Sequence, residues 1–331
     1  HWPLYYEEMP IETSVIENAS KKSDCAVIVI GRSAGEDREN KLEEGSYYLT
    51  KDEKSLIKRV NSAFKKTVIV LNIGSIIDMS WEKELLKNDS AILIPWQGGM
   101  ESGNALADVL LGKQEPSGKL TDTIAENYWD YPCSEDFGEK EYNNYTEDIF
   151  VGYRYFETFA KNKVLYPFGF GLGYSEYRRD FINGEIKDNT VTLKASTENI
   201  GDYCGKDVLQ IYAEAPQGTL GKPSRVLCDF KKSKALEKDE KEEFEFNIPF
   251  YSFASYDDSG VSGYKSCYIL EKGTYNFYLG ADVRSAEKVF SFEIPETIVL
   301  ETLKEVCAPK ESFERIVSKE ENGKIIYKIF R

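Results

Sequence analysis

Two kinds of hydrophobic pattern alternate over the first third of the chain. Helical spacing of apolar residues predicts helices at residues 11–22, 51–64, 81–86 and 101–111. The second of these begins at a capping box, in which Thr50 is followed three residues later by Glu53. Between the helices, short apolar runs predict strands at residues 25–30, 67–73, 91–95 and 119–124.

Strands that alternate with helices form a parallel sheet that is covered on both faces. The first run, "CAVIVI", is apolar enough to be buried on both faces of such a sheet. Ligands bind outside the carboxyl ends of these strands, and the densely charged loop after Ile30 lies at one such end.

The pattern changes in the second half of the chain. Residues 127–177 show little periodicity and predict long ordered loops. From Asp188 onward the period is two, which predicts an antiparallel sandwich with strands at "TVTLKAST", "KDVLQIYAEA", "EFEFNIP", "YKSCYIL", "GTYNFYLG" and "KVFSFEI". The tail predicts a helix at residues 300–306, a polar linker and an edge-strand-like "KIIYKIF".

Composition excludes several partners. The formal charge of −15 over 331 residues argues against nucleic acid and anionic membrane, and favours a neutral or cationic ligand. There is neither a signal stretch nor a membrane-length apolar run. Six cysteines without a C-x-x-C pair indicate a reducing compartment, with no disulfide framework and no zinc site, so the cytoplasm is expected.

The single histidine, His1, restricts the chemistry further. Ser-His-Asp, Cys-His and His-ligated metal sites are not available within the chain, and no cofactor is expected. Acid–base work therefore falls to Glu, Asp, Tyr or Lys, and its simplest form is glycoside hydrolysis by two carboxylates. A start at His rather than Met is typical of a processed chain or a section of a longer one.

Two loops are candidates for such a site, each with an ordinary alternative. In "GRSAGEDREN" the carboxylates beside Arg32 and Arg38 form either a solvated surface ion-pair cluster or an active site. In "WQGGMESGN" the glycines either expose N–H groups to an anion or, as is favoured, simply let the chain turn sharply, and Trp96 at the strand's carboxyl end is a candidate to line a pocket. The glycine-rich "GKQEPSGKL" and "FGFGLGYS" lack the spacing of nucleotide-binding loops.

Longer motifs resemble glycoside hydrolase family 3 of the β-glucosidase type. They include "VIVIGRSAGEDREN", "WQGGMESGNALADVLLGKQEPSGKLTDTIA" and "VLYPFGFGLGYSEY", whereas "ENIGDYCGKDVLQIYAEAP" and "LEKGTYNFYLGA" resemble the family's fibronectin type III-like domain. The resemblance implies two fold classes in one chain, α/β followed by all-β. A partial parallel α/β sandwich domain is expected at 1–180, an antiparallel fibronectin III/Ig-like β-sandwich at 181–296 and a connector tail at 297–331.

The resemblance also implies a retaining mechanism shared by two domains. A (β/α)8 barrel gives the Asp nucleophile, and the α/β sandwich gives the acid/base Glu from a loop written G-E-G-x-D-R. Here Gly35-Glu36 matches and Asp37-Arg38 follows at once, so Glu36 is the expected acid/base, with Glu39 and Glu43 as weaker alternatives. Asp37 and Arg38 are expected to orient the loop or contact sugar hydroxyls, and Trp96 is a candidate for binding the substrate. Arg32 and Arg38 are expected to point away from Glu36 or to pair with Asp37 and Glu39.

No motif of the barrel is present in this sequence. The chain is therefore expected to be part of an exo-acting β-glycosidase that hydrolyses β-linked oligosaccharides or β-glucosides. It would be a section of a longer enzyme with reversed domain order, in which the barrel follows the fibronectin-like domain, or of a truncated gene product. The chain alone is expected to be inactive. The alternatives are a non-catalytic carbohydrate-binding or scaffold protein, and an unrelated α/β ligand-binding domain fused to an adhesion-type sandwich.

Overall fold

The computed structural model describes residues 9–32, 41–87, 89–135, 141, 143–307, 313–321 and 324–330. Its α-helices are α1 Thr13–Ser20, α2 Lys51–Ala63, α3 Glu82–Leu85, α4 Ser102–Leu110 and α5 Tyr153–Phe159. The strands of the first half are β1 Cys25–Gly31, β2 Lys66–Asn72, β3 Ser90–Leu93, β4 Ile124–Ala125 and β5 Val164–Tyr166. No helix in the described ranges combines the length and apolarity needed to cross a bilayer.

The second half is built almost entirely from strands. They are β6 Tyr177–Lys187, β7 Thr190–Asn199, β8 Val208–Glu214, β9 Val226–Lys232, β10 Lys241–Pro249, β11 Ser255–Asp257, β12 Cys267–Leu270, β13 Gly273–Gly280, β14 Glu287–Ile294, β15 Ile298–Thr302, β16 Arg315–Glu321 and β17 Lys324–Phe330. The α/β class followed by an antiparallel sandwich is thereby confirmed.

The described chain divides into two compact units. The first runs to Lys113 and includes Glu126–Tyr128, and the second contains Gln114–Ala125 and the chain from Trp129 onward. The division at residues 180 and 296 stays a prediction.

In the first unit, β1, β2 and β3 form a parallel sheet with β2 in the centre. The predicted capping box begins α2: the Thr50 hydroxyl accepts from the Glu53 N–H at 3.1 Å, and the Glu53 carboxylate accepts from the Thr50 N–H at 2.8 Å. This helix contacts β1 and β2. It fixes the direction of the chain as it returns to the sheet.

Burial of β1 on both faces, as its apolar sequence predicted, is wrong. Ile28 and Ile30 are buried, but Val27 and Val29 on the other face are 49% and 53% exposed. The cause is position, because β1 is the edge strand of the described sheet and only one of its faces is fully covered. In the central strand Val70, which pairs with Val29, is fully buried.

The larger antiparallel sheets of the second unit have the strand orders β10-β7-β6, β14-β13-β8-β9 and β11-β12-β15. The six period-two segments of the sequence correspond to β7, β8, β10, β12, β13 and β14, so these predictions are confirmed. Their inward positions form one apolar core, which includes Val191, Leu193, Leu209, Ile211, Phe246, Tyr275 and Phe277.

The strand predicted at residues 119–124 is wrong. In this part of the described chain only Ile124–Ala125 forms a strand, which pairs antiparallel with β5. Leu120 instead exchanges backbone hydrogen bonds with Phe170 and Gly169, both at 2.8 Å. This segment therefore belongs to the second unit rather than to the parallel sheet.

The tail also differs from its prediction. The helix predicted at residues 300–306 is wrong, since residues 298–302 form β15, which pairs with β12. "KIIYKIF" is a strand as predicted, β17, paired with β16. The tail is held on the second unit by the Ile316 N–H donating to the Thr146 carbonyl at 2.7 Å.

Candidate active site

The predicted catalytic loop lies between two described anchors, Arg32 and Lys41. Residues 33–40, among them Glu36, Asp37, Arg38 and Glu39, lie outside the described residues. The alternative acid Glu43 is described and is exposed in a turn, where its N–H donates to the Lys41 carbonyl at 2.8 Å.

Arg32 anchors the beginning of the loop. Its backbone N–H donates to the Asn72 carbonyl at 3.1 Å, which extends the β1–β2 ladder by one step. Its guanidinium forms a two-point ion pair with Glu53, Nη1 to Oε1 at 2.7 Å and Nη2 to Oε2 at 2.8 Å. Both side chains are about 95% buried, at 6% and 5% exposure. Such a planar pair fixes geometry as well as charge.

The remaining donors of Arg32 are also used within the described structure. They donate to the carbonyls of Ser46 at 3.0 Å, Gly31 at 2.8 Å and Tyr48 at 3.4 Å. These bonds and the pair with Glu53 account for all five N–H groups of a guanidinium. Among the described residues the counterion of Arg32 is Glu53, and the expected pairing with Asp37 and Glu39, which lie outside them, stays a prediction.

Ser46 ties the two ends of the loop together. Its carbonyl accepts from Arg32, and its hydroxyl accepts from the Lys41 N–H at 2.9 Å. The Lys41 carbonyl in turn accepts from the Tyr47 N–H at 3.1 Å. The loop thus leaves and rejoins the fold at one fixed point.

The next parallel strand contributes to the same arrangement. Beyond β2, the Asp78 N–H donates to the Tyr47 carbonyl at 2.9 Å, and the Asp78 carbonyl accepts from the indole N–H of Trp81 at 2.8 Å. Asp78 and Trp81 are buried. The turn that carries Ser46 is therefore fixed by the segment that follows β2.

Besides the alternative acid Glu43, Trp96 is the predicted site residue that lies among the described residues. It follows β3 by three residues, is half-buried, and has a φ of 56°, in the left-handed region. A non-glycine residue there costs about 1–3 kcal/mol, and such strain is concentrated at functional sites. The loops after β2 and β3 approach closely, since a Cβ on Gly74 would lie 2.7 Å from the Gln97 side chain.

Sequence reasoning missed the second role of Glu53. It recognised the carboxylate as a helix cap but not as the counterion of Arg32. A signal was available, because Arg32 directly follows an apolar strand and a charged group that becomes buried needs a partner of opposite charge. Within the described ranges, no group of three or more His, Cys, Asp or Glu residues is placed to hold a metal ion.

Comparison with known proteins identifies both domains. The profile of the glycosyl hydrolase family 3 C-terminal domain matches residues 10–174, and that of the fibronectin type III-like domain matches residues 207–283. The chain belongs to glycoside hydrolase family 3. Its family 3 domain contains the parallel sheet and the anchored loop, and the fibronectin-like domain lies within the sandwich.

Several relatives of this family 3 chain are β-glucosidases. It is 44% identical to a β-glucosidase of Ruminococcus albus over 95% of this chain and 33% of that protein. It is 36% identical to β-glucosidase A of Butyrivibrio fibrisolvens over 96% of this chain and 43% of that protein. The crystal structure of a Paenibacillus barengoltzii β-glucosidase matches 99% of this chain and 37% of that one, with 39% identity and a TM-score of 0.94. The chain thus spans well under half the length of these relatives.

Proposed function

We propose that this chain is the part of a retaining β-glucosidase that supplies the general acid/base, Glu36. The relatives are β-glucosidases, and Glu36 belongs to a loop that follows a parallel strand at its carboxyl end. The observation that carries the proposal is the double anchor of that loop. Arg32 and Lys41 are tied to Ser46, and Arg32 is also paired with buried Glu53. General acid–base catalysis requires such positioning.

The nucleophile would come from elsewhere in the full-length protein. Among the described residues the parallel strands form a single three-stranded sheet, whereas a closed barrel needs eight. The larger part of the relatives' length lies outside the match, which leaves room for a (β/α)8 barrel with an Asp nucleophile. A native gene product well above 37.8 kDa is expected. A cytoplasmic location stays a prediction.

The reaction would follow the two steps of retaining glycosidases. In the first, the barrel Asp attacks the anomeric carbon while Glu36 gives its proton to the leaving oxygen, so that the glycosidic bond breaks and a glycosyl-enzyme ester forms. In the second, Glu36 takes a proton from water, whose oxygen attacks the same carbon and releases the Asp. The two carboxyl groups would lie about 5–5.5 Å apart.

Asp37, Arg38 and Trp96 are assigned to the sugar rather than to proton transfer. Arg38 and Asp37 offer a donor and an acceptor next to Glu36 in the chain, which suits hydroxyl groups. Trp96 offers an aromatic surface that follows β3. The strained backbone at Trp96 supports a positioning role, because its conformation must be fixed by its surroundings.

The test is Glu36→Gln in the full-length protein. For glucosides with poor leaving groups, kcat is expected to fall by about 10²–10⁴-fold, the usual contribution of general acid–base catalysis. Azide is expected to restore part of the rate on an activated aryl glucoside, because it needs no general base, and to give a β-glycosyl azide.

The matched control is Glu43→Gln, which removes an exposed carboxylate from the turn after the loop. It is expected to retain full activity. An active Glu36→Gln enzyme would refute the assignment and favour a carbohydrate-binding or scaffold function for this chain. Loss of activity in Glu43→Gln together with azide rescue would move the acid/base to Glu43.

A further inference from the structure

Three tyrosines lie together on the solvent-facing side of the β11-β12-β15 sheet. Tyr256 of β11 and Tyr268 of β12 are direct partners across the ladder, and Tyr268 in turn pairs with Glu301 of β15. The alternate positions Cys267 and Ile269 are buried. Because strand side chains alternate between faces, Tyr256, Tyr268 and Glu301 form one row across the outer face.

A third ring enlarges this row. Tyr251, from the helical turn before β11, packs on Tyr268 with ring centroids 4.5 Å apart, and Tyr256 lies 5.0 Å from Tyr268 on a tilt of 47°. Tyr251 and Tyr256 remain 47% and 37% exposed. The rings therefore form a continuous aromatic surface, called here the tyrosine platform, that none of the described residues covers.

The electrostatics of the tyrosine platform disfavour a charged anionic partner. Its carboxylate, Glu301, is exposed, and the chain carries a net charge of −15. Burial and hydrogen bonding with Tyr268 and Glu301 raise the pKa of Tyr251 to about 12, so its hydroxyl remains a neutral donor at physiological pH. The surface thus combines ring faces with neutral hydroxyls and one acceptor.

Those groups match a neutral sugar better than a protein segment. A pyranose offers a C–H face to an aromatic ring and a rim of hydroxyl groups to phenols and carboxylates. An apolar protein partner is expected to need exposed aliphatic side chains as well as aromatic rings. Within the described chain, strand β15 contributes only one of these next to the tyrosine row, Val299.

We propose that Tyr251, Tyr256, Tyr268 and Glu301 form a carbohydrate-binding surface that takes a neutral oligosaccharide or glucan chain along its length. The choice of a glucan rests on the proposed β-glucosidase function. The surface would retain a polymeric substrate on the protein while the chain end reaches the active site. It is separate from Glu36 in the sequence and takes no part in the chemistry.

The experiment is gel retardation of the full-length protein by a soluble mixed-linkage β-glucan. Chain ends are rare in a polymer, so retardation reports binding along the chain rather than in an exo-acting active site. Tyr251→Ala/Tyr256→Ala is expected to weaken binding at least about tenfold, because two aromatic contacts are lost. The control is Tyr203→Ala, another exposed tyrosine, which is expected to bind like the wild type.

Further variants distinguish the remaining outcomes. Tyr251→Leu/Tyr256→Leu keeps apolar area for folding but lacks flat rings, and it should lose binding as the alanine variant does. Activity of either double variant on an aryl glucoside should be unchanged, whereas Glu36→Gln should lose activity and still bind glucan. The activity assay therefore tests the catalytic proposal, and the binding assay tests the tyrosine platform independently of it.

The proposal is overturned if the wild type is not retarded, or if the double variants are retarded equally. It is also overturned if the substitutions change the sedimentation coefficient and leave glucan binding intact, since the tyrosine platform would then be a protein interface.

Discussion

The parallel sheet of the first unit and the antiparallel sandwich of the second use similar apolar strands to different effect. In β1 both valines, Val27 and Val29, are about half exposed, whereas in β7 the inward residues Val191 and Leu193 are completely buried. The sandwich closes its core with strands of its own. The sheet of β1, β2 and β3 has three strands in the described chain and an edge strand with one covered face.

The difference shows where each unit obtains its order. In the sandwich, burial of apolar surface in one closed core holds the strands. In the sheet, the carboxyl edge is held by polar groups, namely the Arg32–Glu53 pair and the helix cap that uses the same carboxylate. That edge carries the candidate catalytic loop, so its stability and its function depend on the same few contacts.

The largest loss of stability is expected from Glu53→Gln. The amide oxygen can still accept the capping bond from the Thr50 N–H, but the neutral side chain leaves the buried guanidinium of Arg32 without a counterion, at a cost of about 3–5 kcal/mol. Native-state hydrogen exchange measures this cost, and we expect faster exchange of the β1 and α2 amides with unchanged exchange of the sandwich amides. The double variant Arg32→Met/Glu53→Gln should recover part of the loss. Equal exchange in the single variant and the wild type would show that the edge does not depend on this pair.

The sequence predicted most of the elements, because their signals are local. The capping box at Thr50 located α2, and period-two alternation located six strands of the sandwich. The errors come from long-range contacts. Spacing at residues 300–306 favoured a helix, but pairing of β15 with β12 outweighs that local preference.

The candidate site was only partly predictable for the same reason. Its position after β1 followed from strand order alone. The roles of Ser46, Asp78 and Glu53 did not, because the bonds that join Ser46 and Glu53 to Arg32, and Asp78 to Tyr47, connect residues 14 or more apart that no periodicity relates. The exposure of Val29 depends on which strands lie beside β1, and a uniformly apolar run does not contain that information.

A matched pair of valine truncations tests the contrast directly. Val191→Ala in β7 removes fully buried methyl groups and leaves a cavity, so a loss of about 2–3 kcal/mol in the free energy of unfolding is expected. Val29→Ala in β1 should cost less than about 1 kcal/mol, because its side chain is already half in water. Native-state hydrogen exchange of the amides in each unit measures the two losses of stability. Similar losses in the two variants would mean that the exposed face of β1 contributes to stability as much as a buried core position does.

The smallest effect concerns acid stability of the sandwich. Asp257 is buried at the end of β11, and although burial opposes its ionisation, hydrogen bonds from Ser262, Gly260 and Ser259 hold its pKa below the usual range. A folded-state pKa that is lowered contributes stability above the unfolded value of about 3.9, and this contribution is lost as pH falls through the folded value. Stability of the wild-type sandwich should therefore decline below about pH 4.

Asp257→Asn removes that titration while keeping an acceptor for the loop, so its unfolding free energy should be lower at neutral pH and change less between pH 6 and 2.5. Asp188→Asn is the matched control, because this exposed aspartate has a left-handed backbone that asparagine also tolerates. Its pH dependence should follow the wild type. Parallel curves for Asp257→Asn and the wild type would place the acid sensitivity elsewhere, and the sandwich would then owe its stability to its apolar core without this buried carboxylate.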